Sequence, residues 1–201
     1  MTIDEPAPNL SITVPAVEIG NRYESYEIEL WERLAGLLPS VEDAANFRDC
    51  REIGEQEAGL WLLTQRLLDH GVPVDDRTRA EIEVLAEHWG ERYARHDEIA
   101  SCVGDPAPEV SIRLVPDDRA EAIEAAITDA VFAGRILVPW IECPRCGRVL
   151  SRVHSKQPWG GLSAAAEHYI LSLGQPNLDD ARQIFDRDDL YRAWESLIAC
   201  D

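Results

Sequence analysis

Apolar residues recur at helical spacing through the first half of the chain and alternate through much of the second. Tyr23, Tyr26, Leu30, Trp31, Leu34, Leu37 and Leu38 fall close to one face, which predicts an amphipathic helix stopped at Pro39-Ser40. Residues 42–50 are polar and carry no such stripe. Ile53, Ala58, Trp61, Leu62, Leu67 and Leu68 define a second helix, and Gly71 followed by Pro73 is its expected stop. Asp75 or Asp76 is placed to cap a third, with apolar positions at Ile82, Leu85, Trp89, Tyr93 and Ile99. Three such helices with short connections predict an antiparallel bundle over residues 21–103. Residues 1–20 read as irregular, with a short alternating run at 10–14.

Gly104 opens a cluster of turn formers that includes Pro106 and Pro108, and it marks the boundary with a second unit over residues 107–201. There the chain reads as a strand at 109–115, then a helix through Ala120, Ile123, Ala126, Ile127 and Val131. Strands follow at 135–141, 148–154, 169–173 and 181–185. Leu190, Ala193, Trp194, Leu197 and Ile198 give a final helix, with Asp188 or Asp189 at its cap. The predicted class is α+β: a helical bundle, then a small, mostly antiparallel sheet with helices on one face.

Charge narrows the range of partners. The net charge is −19, with 22 acidic and 9 basic residues over 1–104 against 16 and 10 over 105–201. Affinity for a phosphate backbone rests on cationic contacts, so direct nucleic-acid binding is disfavoured and a basic protein partner is favoured. No apolar run approaches a membrane span. The acidic start lacks the basic and apolar regions of a signal peptide, so a cytoplasmic location is expected.

The most pointed chemistry is Cys143-Pro-Arg-Cys146-Gly147 between two predicted strands. A C-x2-C pair at a hairpin tip can aim two thiolates at one tetrahedral Zn2+, and the glycine permits the tight turn this needs. The motif resembles the zinc knuckle of zinc ribbons and treble clefs over about a dozen residues. Cys143 and Cys146 are the expected ligands. His154, His168, Cys50, Cys102 and Cys200 are further candidates, and a knuckle with idle thiols is the alternative. The zinc-deaminase pattern is not met, because the proline lies inside the pair and no upstream H-x-E occurs. G-x-S-x-G, P-loop, G-x-G-x-x-G and H-E-x-x-H motifs are missing from the sequence, and no enzyme activity is predicted.

The stretch Phe47 to Leu63, with Leu67 to Val74 and Ala80 to Glu87, resembles small helical immunity proteins of the MafI type, which accompany bacterial polymorphic toxins. The shared pattern is a Gly-Glu element opening a helix, a Leu-rich body, a Gly-x-Pro turn and an acidic helix. The resemblance implies inhibition of a toxin, possibly a nuclease, by stoichiometric binding, and leaves residues 105–201 unexplained. The expected recognition residues are Glu55, Glu57, Glu81 and Glu83 on the bundle, with Trp140 and Trp159 as a second contact surface flanking the hairpin. The competing expectation is a zinc-stabilised adaptor or regulatory protein with no toxin partner.

Overall fold

The computed structural model describes residues 16–105, 112–116, 123–124, 134–174 and 182–199, with side chains from Glu24 onward and none at 123–124. Helix α1 (Ala16–Ala35) carries the first predicted stripe, with Leu30, Trp31 and Leu34 buried. Helix α2 (Val41–Glu52) was not expected, because only Ala44 and Phe47 face inward and the rest is solvated. Its start was nonetheless written in the chain. The Ser40 hydroxyl accepts from the Asp43 amide, and Glu42 and Asp43 favour the positive end of the helix dipole. Helix α3 (Gln56–Asp69) is the second predicted helix with a different inward face: Leu60, Leu63 and Leu67 are buried, while Ala58 and Trp61 are exposed and Ile53 lies at the end of α2.

The third predicted helix is two, α4 (Asp76–His88) and α5 (Arg92–Ser101). Gly90 adopts φ 76°, and the Glu91 and Gly90 amides donate back to the Ala86 and Glu87 carbonyls. That pair of bonds is a Schellman stop, which needs a left-handed residue that glycine supplies at no steric cost. Among the described residues no helix is long and apolar enough to cross a membrane.

The sheet follows the predicted α+β plan. Strands β1 (Arg113–Leu114), β3 (Arg135–Cys143), β4 (Arg148–Ser155), β5 (His168–Leu173) and β6 (Gln183–Asp186) lie in that order, all antiparallel. β2 (Ile123–Glu124) pairs with β3 through Ile123 opposite Leu137. These two residues correct the predicted helix, since pairing with the edge of β3 overrides a helical spacing of apolar positions. The other positions of that helix, and the run at 10–14, lie outside the described residues. Helix α6 (Leu190–Ile198) closes the chain over the sheet.

Two apolar clusters meet at α4. Ile82, Leu85 and Ala86 join the bundle core with Leu30, Trp31 and Phe47. Ala80 and Val84 join the sheet core with Ile141, Leu150, Leu171 and Trp194. On the other face of the sheet Leu137, Val153 and Ile170 form a small buried cluster. Every residue from Ala80 to Glu87 is buried. Where sequence reading separates two units near Gly104, the fold wedges one helix between them.

Candidate functional site

The hairpin motif sits as expected at the β3–β4 turn. Cys143 ends β3 fully buried in the sheet core, and Cys146 is half-buried in the turn. Gly147, at φ 72°, donates its amide to the Cys143 carbonyl at 2.8 Å. Among the described residues no group of three metal-ligating side chains forms. His154 and His168 are carried away along the strands, since Cys143 pairs with Arg148 and Arg148 with Leu173. At about 3.3 Å per residue, His154 lies roughly 20 Å up β4 and His168 about as far along β5. Cys50 and Cys102 belong to the helical half. Arg148 donates to the Ser196 carbonyl at 3.1 Å, so the end of α6 lies beside this hairpin. Cys200 follows four positions later and lies outside the described residues.

The acidic residues divide sharply. Glu55 and Glu57 are exposed at the α2–α3 corner beside exposed Glu52. Two large apolar side chains of the same segment are also in water, Ile53 at 73% exposure and Trp61 at 52%. Glu81 and Glu83 are buried, which removes them from any recognition surface. Glu81 pairs with Arg33 at 2.8 Å and Arg77 at 3.4 Å. Trp140 is also buried, whereas Trp159 is 79% exposed in the loop after β4.

Glu83 and Glu87 are one helical turn apart and share the α4 face that meets the sheet. Glu83 accepts from His96 Nδ1 at 2.7 Å and from the Trp140 indole at 3.1 Å, and pairs with Arg92 Nε at 2.7 Å. Glu87 accepts from Arg152 at 3.2 Å, and from the Tyr169 hydroxyl and the Ala166 amide at 3.3 Å each. Burial alone pushes the Glu83 carboxyl up. The His96 hydrogen bond, the Arg92 and His96 charges and the Trp140 N–H outweigh it, and the acid ends below its ordinary value. Register places Trp140 here, because the β-bulge between Pro139 and Ile141 makes it the extra residue of β3. Two guanidinium groups stand over its ring, Arg92 at 5.8 Å and Arg152 at 5.6 Å.

Above this layer open two adjoining cavities of about 500 and 420 Å3. Both are lined by Arg92, Tyr93 and Arg152, the first also by Trp140 and the second by His154. His154 Nδ1 donates to the Ser163 carbonyl at 2.9 Å, while Nε2 is buried with no partner. Burial and then the Arg152 charge hold its pKa below the ordinary histidine value, so the ring is neutral at pH 7. Sequence reading missed Arg92, Tyr93, Arg152 and His154 as a group. The available signal was weak: Arg152 and His154 share a strand face by alternation, and Glu83 and Glu87 share a helix face by spacing. Nothing in the sequence said that these two faces meet.

No protein-family model, no curated protein and no solved structure matches this chain.

Proposed function

We propose that this chain binds a basic protein domain through the α2–α3 corner, and that the partner is a toxin it neutralises. The observation that carries the reading is the pair of exposed apolar side chains, Ile53 and Trp61, in one segment with exposed Glu52, Glu55 and Glu57. An exposed Trp in a segment rich in exposed acidic residues has the composition of an interface hot spot whose partner carries the opposite sign. The net charge of −19 supports the same partner chemistry through long-range steering. The stretch that resembles MafI-type immunity proteins begins at Phe47 in α2 and runs through this corner.

The test is genetic and then physical. The gene immediately upstream is sequenced, and where it encodes a secreted protein the C-terminal domain of that protein is expressed alone and together with this chain, and growth is scored. Restored growth and a one-to-one complex on gel filtration are expected. Rescue that survives the combined change Trp61→Ala, Glu55→Lys and Glu57→Lys would contradict the assignment of the corner. An upstream gene encoding no secreted protein would contradict the toxin itself.

A second reading rests on the hairpin. The described residues supply two thiols where a closed zinc site takes four ligands, and the Arg148–Ser196 contact brings α6 beside the hairpin four positions before Cys200. Zinc there would tie the C-terminal helix to the β3–β4 turn, as a structural metal in an adaptor does.

A further inference from the structure

We propose that the cleft between α5 and the sheet binds a small-molecule anion, a compound with one carboxylate or phosphate headgroup and a planar or apolar body. The site shares no residue with the α2–α3 corner and stands independently of the toxin reading. Its two cavities, about 500 and 420 Å3, share Arg92, Tyr93 and Arg152 and fall within the usual size range of ligand pockets.

The headgroup site is built from below. Glu83 lies 2.7 Å from Arg92 Nε as an ion pair without hydrogen-bond alignment, and Glu87 accepts from Arg152 Nη1 at 3.2 Å. Arg92 Nη1 and Arg152 Nη2 have no hydrogen-bond partner among the described residues and are not sealed from solvent. Two forked donors are therefore fixed by carboxylates on one side and left open on the other. That is the geometry in which guanidinium groups take up a planar or tetrahedral oxyanion. Arg152 is 8% exposed, and its Nε is buried without a partner. Burial first, and the nearby Arg92 charge second, pull its pKa down, so an anion bound between the two would relieve their repulsion.

The body of the ligand is selected by the walls. Tyr93 is 90% exposed, an unusual position for a large aromatic, and it borders both cavities. Leu114, Val115, Val138 and Pro139 form the apolar wall of the larger one, whose lining also includes the acidic Asp97, and Leu162 contributes to the smaller. His154 adds a neutral ring beneath the smaller cavity, where a charged histidine would shift the selection further toward anions.

The experiment uses the full chain and four probes: benzoate, phenyl phosphate, inorganic phosphate and neutral benzamide. Binding is followed by the indole N–H resonance of Trp140 in proton–nitrogen correlation spectra. A saturable shift with benzoate or phenyl phosphate, and none with benzamide, is expected. Which of the two binds more tightly identifies the headgroup. The double change Glu87→Gln with Arg152→Gln removes one guanidinium together with the carboxylate that balances it, so no buried charge is left unpaired. It should weaken binding about tenfold or more, the equivalent of one charged hydrogen bond. Tyr93→Ala, at an exposed position that cannot unfold the protein by cavity formation, should weaken phenyl phosphate more than inorganic phosphate. Absence of a saturable shift with every anion at millimolar concentration overturns the proposal. Equal shifts from benzoate and benzamide overturn it as well, since the arginines would then play no part.

Discussion

Helix α4 has two inward faces, and they are built from different chemistry. Ile82, Leu85, Ala86 and Trp89 recur at i, i+3, i+4 and i+7 and pack into the helical bundle. Ala80, Glu83, Val84 and Glu87 recur at the same spacing and pack against the sheet. The first face is held mainly by burial, which is non-directional, with one directional contact at its end, where the Trp89 indole donates to Glu27 at 3.1 Å. The second is held by two carboxylates, each partnered by an arginine and by aromatic donors, and those bonds have a required geometry. A dry seam would fix that the two halves touch. The polar seam also fixes how, and it leaves a lined cleft beside the contact.

Removing one partner from either face should cost the most. Glu83→Ala leaves the buried Trp140 N–H and the half-buried Arg92 without their acceptor, and about 3 kcal/mol of stability should be lost in urea titration. Leu85→Ala on the apolar face should cost about 2–5 kcal/mol through lost burial and the cavity left behind. Because α4 serves both cores, fluorescence and far-ultraviolet circular dichroism should report one coincident transition in each variant. Two separated transitions would show that the halves unfold independently and would break the comparison.

The next effect down concerns metal. If Zn2+ ties the β3–β4 turn to the chain end, purified protein should carry about one zinc, and Cys143→Ser should remove it and lower the Tm. Equal Tm values for wild type and variant, with no metal in either, would leave the hairpin held by packing of Cys143 alone.

A smaller effect appears with pH and separates the histidines from the acids. Burial holds His154 below its ordinary pKa, so the unfolded chain binds a proton there that the folded chain refuses. This contribution to stability is complete above about pH 6.5 and is lost as pH falls from there toward the folded value. His88 adds the same sign, with burial pulling it down against Glu27 and Asp188. His154→Asn keeps a donor for the Ser163 carbonyl but does not titrate, and should flatten the fall in Tm between about pH 7 and about pH 5.5. The depressed Glu83 carboxyl contributes above about pH 4.3 and loses its effect below that, so Glu83→Gln should remove only this lower limb. The exposed pair Glu55→Ala and Glu57→Ala should stay within about 0.5 kcal/mol of wild type.

Much of the fold was legible because burial writes a period into the chain. Helices α1 and α6 and strands β3 to β6 follow their apolar spacing, whereas α3 forms where expected but buries Leu60, Leu63 and Leu67, with Ile53, Ala58 and Trp61 exposed. Helix α2 was not, since one stripe of two residues is too thin a signal, although Ser40 with Asp43 marked its start. The break at Gly90 was concealed because apolar positions keep their spacing across it. The site was harder to read. Glu81 and Glu83 look like a solvated acidic face in sequence, and their arginine partners lie on α1, α5 and within α4 itself. Which charges are buried is decided by tertiary pairing, which a local pattern does not record. The corner formed by Glu55 and Glu57 was legible for the opposite reason, since exposure needs no partner.

The most direct measurement of the binding proposal is the association rate between this chain and the basic partner domain proposed for it, once the co-expression test has identified one, taken across a salt series. Wild type should associate quickly at low salt and slow as salt screens the acidic corner. Glu55→Lys with Glu57→Lys should bind more slowly and lose most of that salt dependence, while a control reversal at exposed Glu29 on α1 should leave the rate closer to wild type. Association that is unchanged by the corner reversal at every salt concentration would contradict the account.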